Sequence, residues 1–344
     1  MLKHHSKQLL KRLISPLVDI GGIYDSKITR LMSHSNRLLV LMYHRVIDDP
    51  RADPFELGMC VSRQRFAEQL AWLKKSAQVL PLDVAVTRLL AGEPLPPRSV
   101  AITFDDGYRD NLQIAAPMLK QYELPATVYV VTGKLEENIP LWWDQVIAMM
   151  AGTSKSTLDT LALGLPELPP TLSLSPNHRR DTCILLLETL WSHNALRIEE
   201  TLSRLAAQLK PADLPWLKAE RMTPAEVQAI AAEGFSIGGH TVSHVDPKHL
   251  NRDQLLHELS TSRQTLQNLC QQPVDSFAYP GGRSSVWMPD LLAQAGFHHA
   301  VSTIRGINQA PVDRYAIARI GMPNTPMGDF KRAIHNLNLI GAPH

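Results

Sequence analysis

Ser99-Val100-Ala101-Ile102-Thr103-Phe104-Asp105-Asp106-Gly107 joins an apolar run to two adjacent carboxylates and a glycine. The run reads as a strand ending at Phe104. Leu112 to Gln121 then carries helical apolar spacing, and Ala126 to Val131 reads as a strand again. Strand, helix, strand in this rhythm implies parallel βαβ units. Side-by-side carboxylates at a strand end repel, which costs stability unless a cation or a shared proton relieves them. The pair therefore points to chemistry.

Working outward, Arg37 to Tyr43 reads as a short buried strand that delivers His44 at its carboxyl end. Ser62 is an N-cap for a helix with Phe66, Leu70 and Leu73 on one face. Asp83 to Leu90 forms a second helix, closed by Gly92 and the breaker Pro94-Leu95-Pro96-Pro97. From about 151 to 220 the character becomes small, polar and proline-containing, with helical spacing around Ile184 to Leu190, so this stretch reads as a largely helical insertion. The rhythm resumes at Thr223-Pro224-Ala225-Glu226, a capping box with proline at the first helical position. That helix should stop at Gly234, and the strand Phe235 to Gly239 then leads into His240. Another strand ends in Phe277-Ala278-Tyr279-Pro280-Gly281-Gly282. His44, Asp105-Asp106, His240/His244 and Tyr279-Pro280 thus all follow strands. In a parallel barrel or an open α/β sheet those ends meet on one face.

The 344 residues are 44% hydrophobic, enough for a sizeable core. Lys+Arg 35 against Asp+Glu 33 gives a net charge of +2, too balanced for nucleic-acid binding by counterion release. The positive charge is local: residues 1 to 45 hold Lys3, Lys7, Lys11, Arg12, Lys27, Arg30, Arg37 and Arg45 against Asp19 and Asp25. Within residues 1–35, Leu2, Leu9, Leu10, Leu13, Leu17 and Val18 among lysines fit a basic amphipathic helix on an anionic membrane, or a helix docked on the main body. Cys60, Cys183 and Cys270 form neither a disulfide framework nor a cysteine zinc site. No apolar run reaches membrane-span length, and Pro16 and Asp19 interrupt the candidate leader, so the cytoplasm is the expected compartment.

Asp-His-His supplies one hard oxygen and two imidazoles, a ligand set for catalytic Zn²⁺ or a similar divalent ion with open positions. One aspartate can bind the metal while the other serves as general base toward an activated water. His240-x-x-x-His244 alone is weak evidence; joined to the Asp-Asp strand end it is specific.

Thr103-Phe104-Asp105-Asp106-Gly107 together with His240-Thr241-x-x-His244 resembles the polysaccharide deacetylases, carbohydrate esterase family 4, over roughly Leu38 to Ile320. The resemblance implies an α/β fold, a distorted (β/α)7-type barrel of parallel strands occupying residues 36–344. It makes Asp105 the catalytic base and Asp106, His240 and His244 the ligands of a divalent metal, Zn²⁺ first, with Co²⁺ or Ni²⁺ as alternatives. It places Tyr279 and Pro280 in the segment whose backbone N–H helps bind the oxyanion. Two family features lack a match. The arginine that orients the base is replaced by Phe277-Ala278-Tyr279-Pro280, leaving Arg283 or Arg319, of which Arg319 is preferred, against a structural reading of both. The late Leu-x-x-His motif carrying the general acid is also missing, since His298, His299 and His335 sit in other contexts. Leu41-Met42-Tyr43-His44-Arg45-Val46 is similar to a segment of the poly-N-acetylglucosamine deacetylases, which implies His44 as the acid. Trp142-Trp143-Asp144 offers a sugar-stacking wall at Trp142, with core packing as the equal alternative.

The expectation is therefore a metal-dependent hydrolase that removes N-acetyl groups from the amino-sugar units of a polysaccharide or oligosaccharide, with a water on the metal as nucleophile. Carbohydrate O-deacetylation and non-catalytic glycan binding on the same fold are the alternatives. Expected partners are an acetylated glycan or a lipid-linked oligosaccharide, no nucleic acid, and a peripheral contact of residues 1–30 with the inner membrane face.

Overall fold

The computed structural model describes residues 23–137 and 139–341. The expected membrane-contacting segment lies outside these residues up to position 22. From Ile23 on, the chain forms the helix Ile23–Leu31, which packs beside the helix Met327–His335; Ile28 of this helix and Met32 just after it are buried in the main core. This part of the basic segment is docked on the body of the protein. Among the described residues no helix is long and apolar enough to cross a membrane.

Seven parallel strands, numbered here in chain order, form a ring. They are β1 (Arg37–Tyr43), β2 (Ser99–Phe104), β3 (Thr127–Val130), β4 (Ser236–Gly239), β5 (Ser276–Ala278), β6 (His299–Val301) and β7 (Ile320–Gly321). Neighbours pair in that order: Tyr43 with Phe104, Phe104 with Val128, Val130 with Gly239, Gly239 with Phe277, and Ala278 with Val301. Closure uses one short segment. Ile317 bridges to Val301 of β6, and three residues on, Ile320 and then Gly321 pair with Leu41 and Met42 of β1. The barrel is distorted because this closing strand is so short.

Each long strand is buried on both faces, as parallel strands covered by helices must be. The period of two separates the faces. Leu38 and Val40 of β1, Ala101 of β2, Tyr129 of β3 and Ile317 share one cluster in the lumen, joined by Leu82, Ala85 and Val86 of the helix Leu82–Leu90. Leu39, Leu41, Val100, Ile102, Val128 and Val130 belong to the outer cluster beneath the surrounding helices. Continuing the lumen series along β2 gives Thr103 and then Asp105, whose N–H still donates to the Tyr43 carbonyl at 2.9 Å. The same step from Ile317 gives Arg319. Two chain segments far apart in sequence thus aim a carboxylate and a guanidinium at the same point above the lumen.

The expected caps form as the side-chain chemistry requires. Thr223 and Glu226 exchange hydrogen bonds at 2.8 and 3.3 Å, and Ser62 caps the helix Arg63–Ser76. Between β3 and β4 lies an inserted layer with its own apolar core of Leu158, Leu165, Cys183, Leu186, Ile198 and Leu205. Its helices are Trp142–Gly152, Pro176–Leu190 and Ala195–Leu209, and it includes an antiparallel hairpin, Thr157–Asp159 with Thr171–Ser173. The compositional change near 151 therefore marks the end of the first inserted helix, and the layer is not purely helical. Its contact with the barrel runs through Tyr108, Val131, Trp143 and Val245, which places it over one side of the carboxyl-terminal rim.

Candidate active site

The carboxyl ends of the strands converge on a cavity of about 270 Å³ lined by His44, Asp105, Asp106, His240, His244, Tyr279 and Gly281, with Trp143, Trp191 and Thr303 on its walls. Asp105 keeps the inward parity of β2. Asp106 does not: its φ of 77°, followed by 76° at Gly107, turns the chain sharply, and the two carboxylates diverge. A β-carbon on Gly107 would lie 3.0 Å from Val130 Cγ1, so both its backbone conformation and its close approach to β3 call for glycine.

Asp106 Oδ1 lies 3.3 Å from His240 Nε2 and 3.4 Å from His244 Nε2, and the two Nε2 atoms are 3.2 Å apart. A tetrahedral zinc ion with N and O ligands at 2.0–2.1 Å separates its ligand atoms by about 3.3 Å, so this triangle has the right size. Asp106 Oδ2 is buried without a hydrogen-bond partner among the described residues, leaving acceptor capacity that a cation would satisfy. His240 Nδ1 faces the Ala278 carbonyl at 2.7 Å; donating there fixes the tautomer that leaves the Nε2 lone pair free for a cation.

Burial alone would raise the Asp106 carboxyl, but the His240 and His244 imidazoles that face it outweigh burial and hold Asp106 well below the usual carboxylate range. Burial pushes His244 down to about 4, which keeps it neutral and able to ligate. For His240, burial lowers and Asp106 raises; the carboxylates win, and its value moves up. These residues fit a divalent metal, with Asp106, His240 and His244 as the groups that would hold it.

Asp105 accepts from Arg319 Nη1 at 2.7 Å and from Nη2 at 2.8 Å, a bidentate pair in which the arginine is fully buried. Arg319 also donates to Thr103 Oγ1 at 3.1 Å and to the Ser302 carbonyl at 2.9 Å. Burial raises the Asp105 carboxyl, and the guanidinium outweighs burial, so the net shift is downward. Arg283, the other candidate, instead pairs with buried Asp246 at 3.0 Å and lies over the Trp191 ring at 5.0 Å.

His44 is half-buried at the cavity edge, opposite the histidine pair in sequence order but on the same rim. Its backbone is held by Asn111 Nδ2, which donates to the His44 carbonyl at 2.8 Å, and Asp110 accepts from the Val46 N–H at 3.2 Å and from Arg45 Nε at 2.9 Å. Asn111 thus supports the backbone of His44.

Two expectations need correction. Trp142 does not line the cavity. Its indole N–H donates to the His244 carbonyl at 3.4 Å, and it stacks edge-on against Trp191 and Trp143. The cavity walls are Trp143, with its ring 4.2 Å from His244, and Trp191 from the end of the helix Pro176–Leu190. Nothing local in the sequence marks Trp191, because its place depends on how the inserted layer packs. Trp143 is fixed from behind: its indole N–H donates to Tyr108 Oη at 2.9 Å, and Tyr108 donates to Asp144 at 2.9 Å. Burial raises that Asp144 carboxyl to about 7.

The second correction concerns the oxyanion segment. The Tyr279 N–H is engaged by the Val301 carbonyl at 3.2 Å, its hydroxyl donates to the Tyr315 carbonyl at 2.8 Å, and Pro280 has no N–H. The next amide, Gly281, lines the cavity with φ 55° and is without a hydrogen-bond partner among the described residues. A β-carbon there would meet Trp191 at 3.2 Å.

Known proteins share this arrangement of elements. The YxkH protein of Bacillus subtilis (strain 168), named for polysaccharide deacetylation, is 21% identical over 299 residues, 86% of this chain and 76% of its own length. A poly-beta-1,6-N-acetyl-D-glucosamine N-deacetylase of Staphylococcus aureus (strain MSSA476) is 34% identical over 130 residues, 35% of this chain; the match spans 44% of that relative's length. Among solved structures, the Streptococcus pyogenes deacetylase PplD in complex with acetate superposes with a TM-score of 0.59 at 19% identity, over 87% of this chain and 98% of its own. IcaB from Ammonifex degensii gives 0.54 at 18% identity, over 87% and 97%. These two show a common fold. The sequence profile of polysaccharide deacetylases matches residues 92–161 and 185–300, more than half of the chain and all of the strand-end motifs from Asp105 to Tyr279, and the protein belongs to the polysaccharide deacetylase family.

Proposed function

We propose that this protein is a divalent-metal-dependent hydrolase that removes N-acetyl groups from amino-sugar units of a polysaccharide or oligosaccharide. The observation that carries the reading is the division of labour at adjacent residues: Asp106 faces two imidazoles, while Asp105 is clamped by Arg319 with its carboxylate at the cavity floor. Asp106, His240 and His244 would hold a divalent cation, which would supply Lewis acidity toward the acetamide carbonyl and a water. Asp105 takes the proton of that water as its oxygen attacks the carbonyl carbon. The Gly281 N–H stabilises the oxyanion that forms. Collapse breaks the carbon–nitrogen bond, and His44 protonates the nitrogen so that a neutral amine leaves with acetate as the other product. Trp143 and Trp191 form flat walls on which a pyranose ring packs.

The test is acetate release from N-acetylglucosamine oligomers and from O-acetyl xylan, before and after chelation. The expected result is release from the N-acetyl substrates, lost on chelation and restored by Zn²⁺. Release from O-acetyl xylan alone would select O-deacetylation, and no release from either would select glycan binding without catalysis. In the same assay His44→Ala should lower amide turnover by about 10²–10⁴-fold and affect an activated acetyl ester much less, because that leaving group needs no proton. Amide turnover within a few-fold of the parent would remove His44 from the mechanism. Trp191→Ala should raise KM by roughly 3- to 10-fold with kcat little changed, from the loss of ~1 kcal/mol of ring contact; an unchanged KM would assign Trp191 to packing.

A further inference from the structure

The segment between the two histidines is held in an uncommon backbone. Thr241 has φ 64° and His244 has φ 51°. Non-glycine residues in the left-handed region cost about 1–3 kcal/mol each and persist only where their surroundings over-determine them. The carbonyls of this loop are taken by β3's continuation: Thr132 N–H donates to the Thr241 carbonyl at 3.1 Å and Gly133 N–H to the Val242 carbonyl at 2.8 Å. The His244 N–H donates to Thr241 Oγ1 at 3.0 Å. That leaves the amides of Val242 and Ser243, and both donate to one oxygen, Glu258 Oε2, at 2.8 and 2.9 Å. The Ser243 hydroxyl donates to Glu258 Oε1 at 2.6 Å.

Glu258 is well founded. It stands on the helix Arg252–Cys270, whose start is locked by an Asn251/Gln254 capping box and whose Leu255, Leu259 and Leu266 are buried in the main core. A half-buried carboxylate on a rigid helix therefore gathers three donors from a strained loop whose last residue is His244. Charge-assisted hydrogen bonds of this kind are about twice as strong as neutral ones.

We infer that Glu258 is a positioning residue: it clamps the Thr241–Ser243 turn so that His244 Nε2 is presented to the metal beside His240 and Asp106. The inference rests on the metal reading above and extends it to a residue outside the cavity. Without the clamp, two amides lose their acceptor, the left-handed residues relax, and the His244 nitrogen moves off the ligand triangle.

The experiment uses the metal-free full chain, titrated with Zn²⁺ alone and with Co²⁺, whose visible spectrum reports ligand geometry. Glu258→Ala should raise the Kd for Zn²⁺ by about 10–100-fold, the cost of removing a support behind a ligand, and should alter the Co²⁺ spectrum. Glu258→Gln keeps an oxygen acceptor for the two amides and should stay within a few-fold of the parent. Glu258→Asp, which draws the carboxylate back by one methylene, should fall between them and serves as the test if Glu258→Ala does not fold. A parent that binds both ions while Glu258→Ala, or in its place Glu258→Asp, matches it in Kd and spectrum overturns the clamp alone. A parent that takes up neither ion overturns the metal reading and the clamp with it.

Discussion

Asp105→Asn should keep a full equivalent of zinc yet lower kcat for acetate release by about 10²–10⁴-fold, the usual worth of a general base, whereas Asp106→Asn should lose the metal. The two residues are neighbours in the chain and differ only in what the backbone does between them. Asp105 still belongs to β2: its N–H pairs with the Tyr43 carbonyl, and its side chain follows the lumen parity set by Ala101 and Thr103. At Asp106 the chain turns into the left-handed region, and the second carboxylate swings to the imidazoles of His240 and His244. Asparagine at 105 preserves shape and one acceptor for Arg319 but cannot take a proton from water. Asparagine at 106 replaces a charged ligand by a neutral amide. Metal analysis and single-turnover acetate release on both variants check this. Equal metal loss in the two would merge the roles, and a fully active Asp105→Asn would remove the base.

The strand ends were readable because a parallel strand buried on both faces is an apolar run that stops abruptly where function begins, as Phe104-Asp105 and Gly239-His240 do. Spacing within one loop, His240 to His244, is likewise local. What could not be read depends on closure of the barrel or on packing of the inserted layer. Arg319 is preferred over Arg283 in the sequence, but its meeting with Asp105 across 214 residues is not itself legible there. Their encounter follows from two separate period-of-two registers and from a closing strand only two residues long, and no local motif records that. Trp142 and Trp143 open a helix together, and which of them faces the cavity depends on the rotation of that helix about its axis. Trp191 and Glu258 lie on helices whose apolar spacing speaks for their buried faces and is silent about the polar or aromatic residue at the edge. The supports of a site are therefore harder to read than its reactive groups, since each is chosen by a contact rather than by its own chemistry.

Arg319→Met should be strongly destabilising. It removes the only charge that bonds to Asp105 in a bidentate manner among the described residues and leaves a buried carboxylate unpaired. Breaking a buried ion pair from one side costs about 3–5 kcal/mol, on the order of 4–7 °C in Tm for a chain of this size. The pH dependence has a definite sign. In the parent, Asp105 is shifted below its unfolded value near ~3.9, so its contribution to stability is present above that pH and fades as pH falls through the lowered folded value. In Arg319→Met burial is left as the dominant influence and raises the carboxyl. The variant then loses stability as pH climbs from the unfolded value toward the raised folded one. The difference in Tm between parent and variant, measured on metal-free protein, should accordingly be large near neutrality and shrink toward pH 4. Arg319→Lys separates charge from geometry. A lysine restores a cation but not the two-pronged grip, so stability should recover in large part while kcat stays roughly 10–100-fold low at little-changed KM, because the base is present but free to rotate. A Tm difference that is flat with pH would show that Arg319 acts through packing alone. A fully active Arg319→Lys would show that Asp105 needs only a nearby charge, not a fixed orientation.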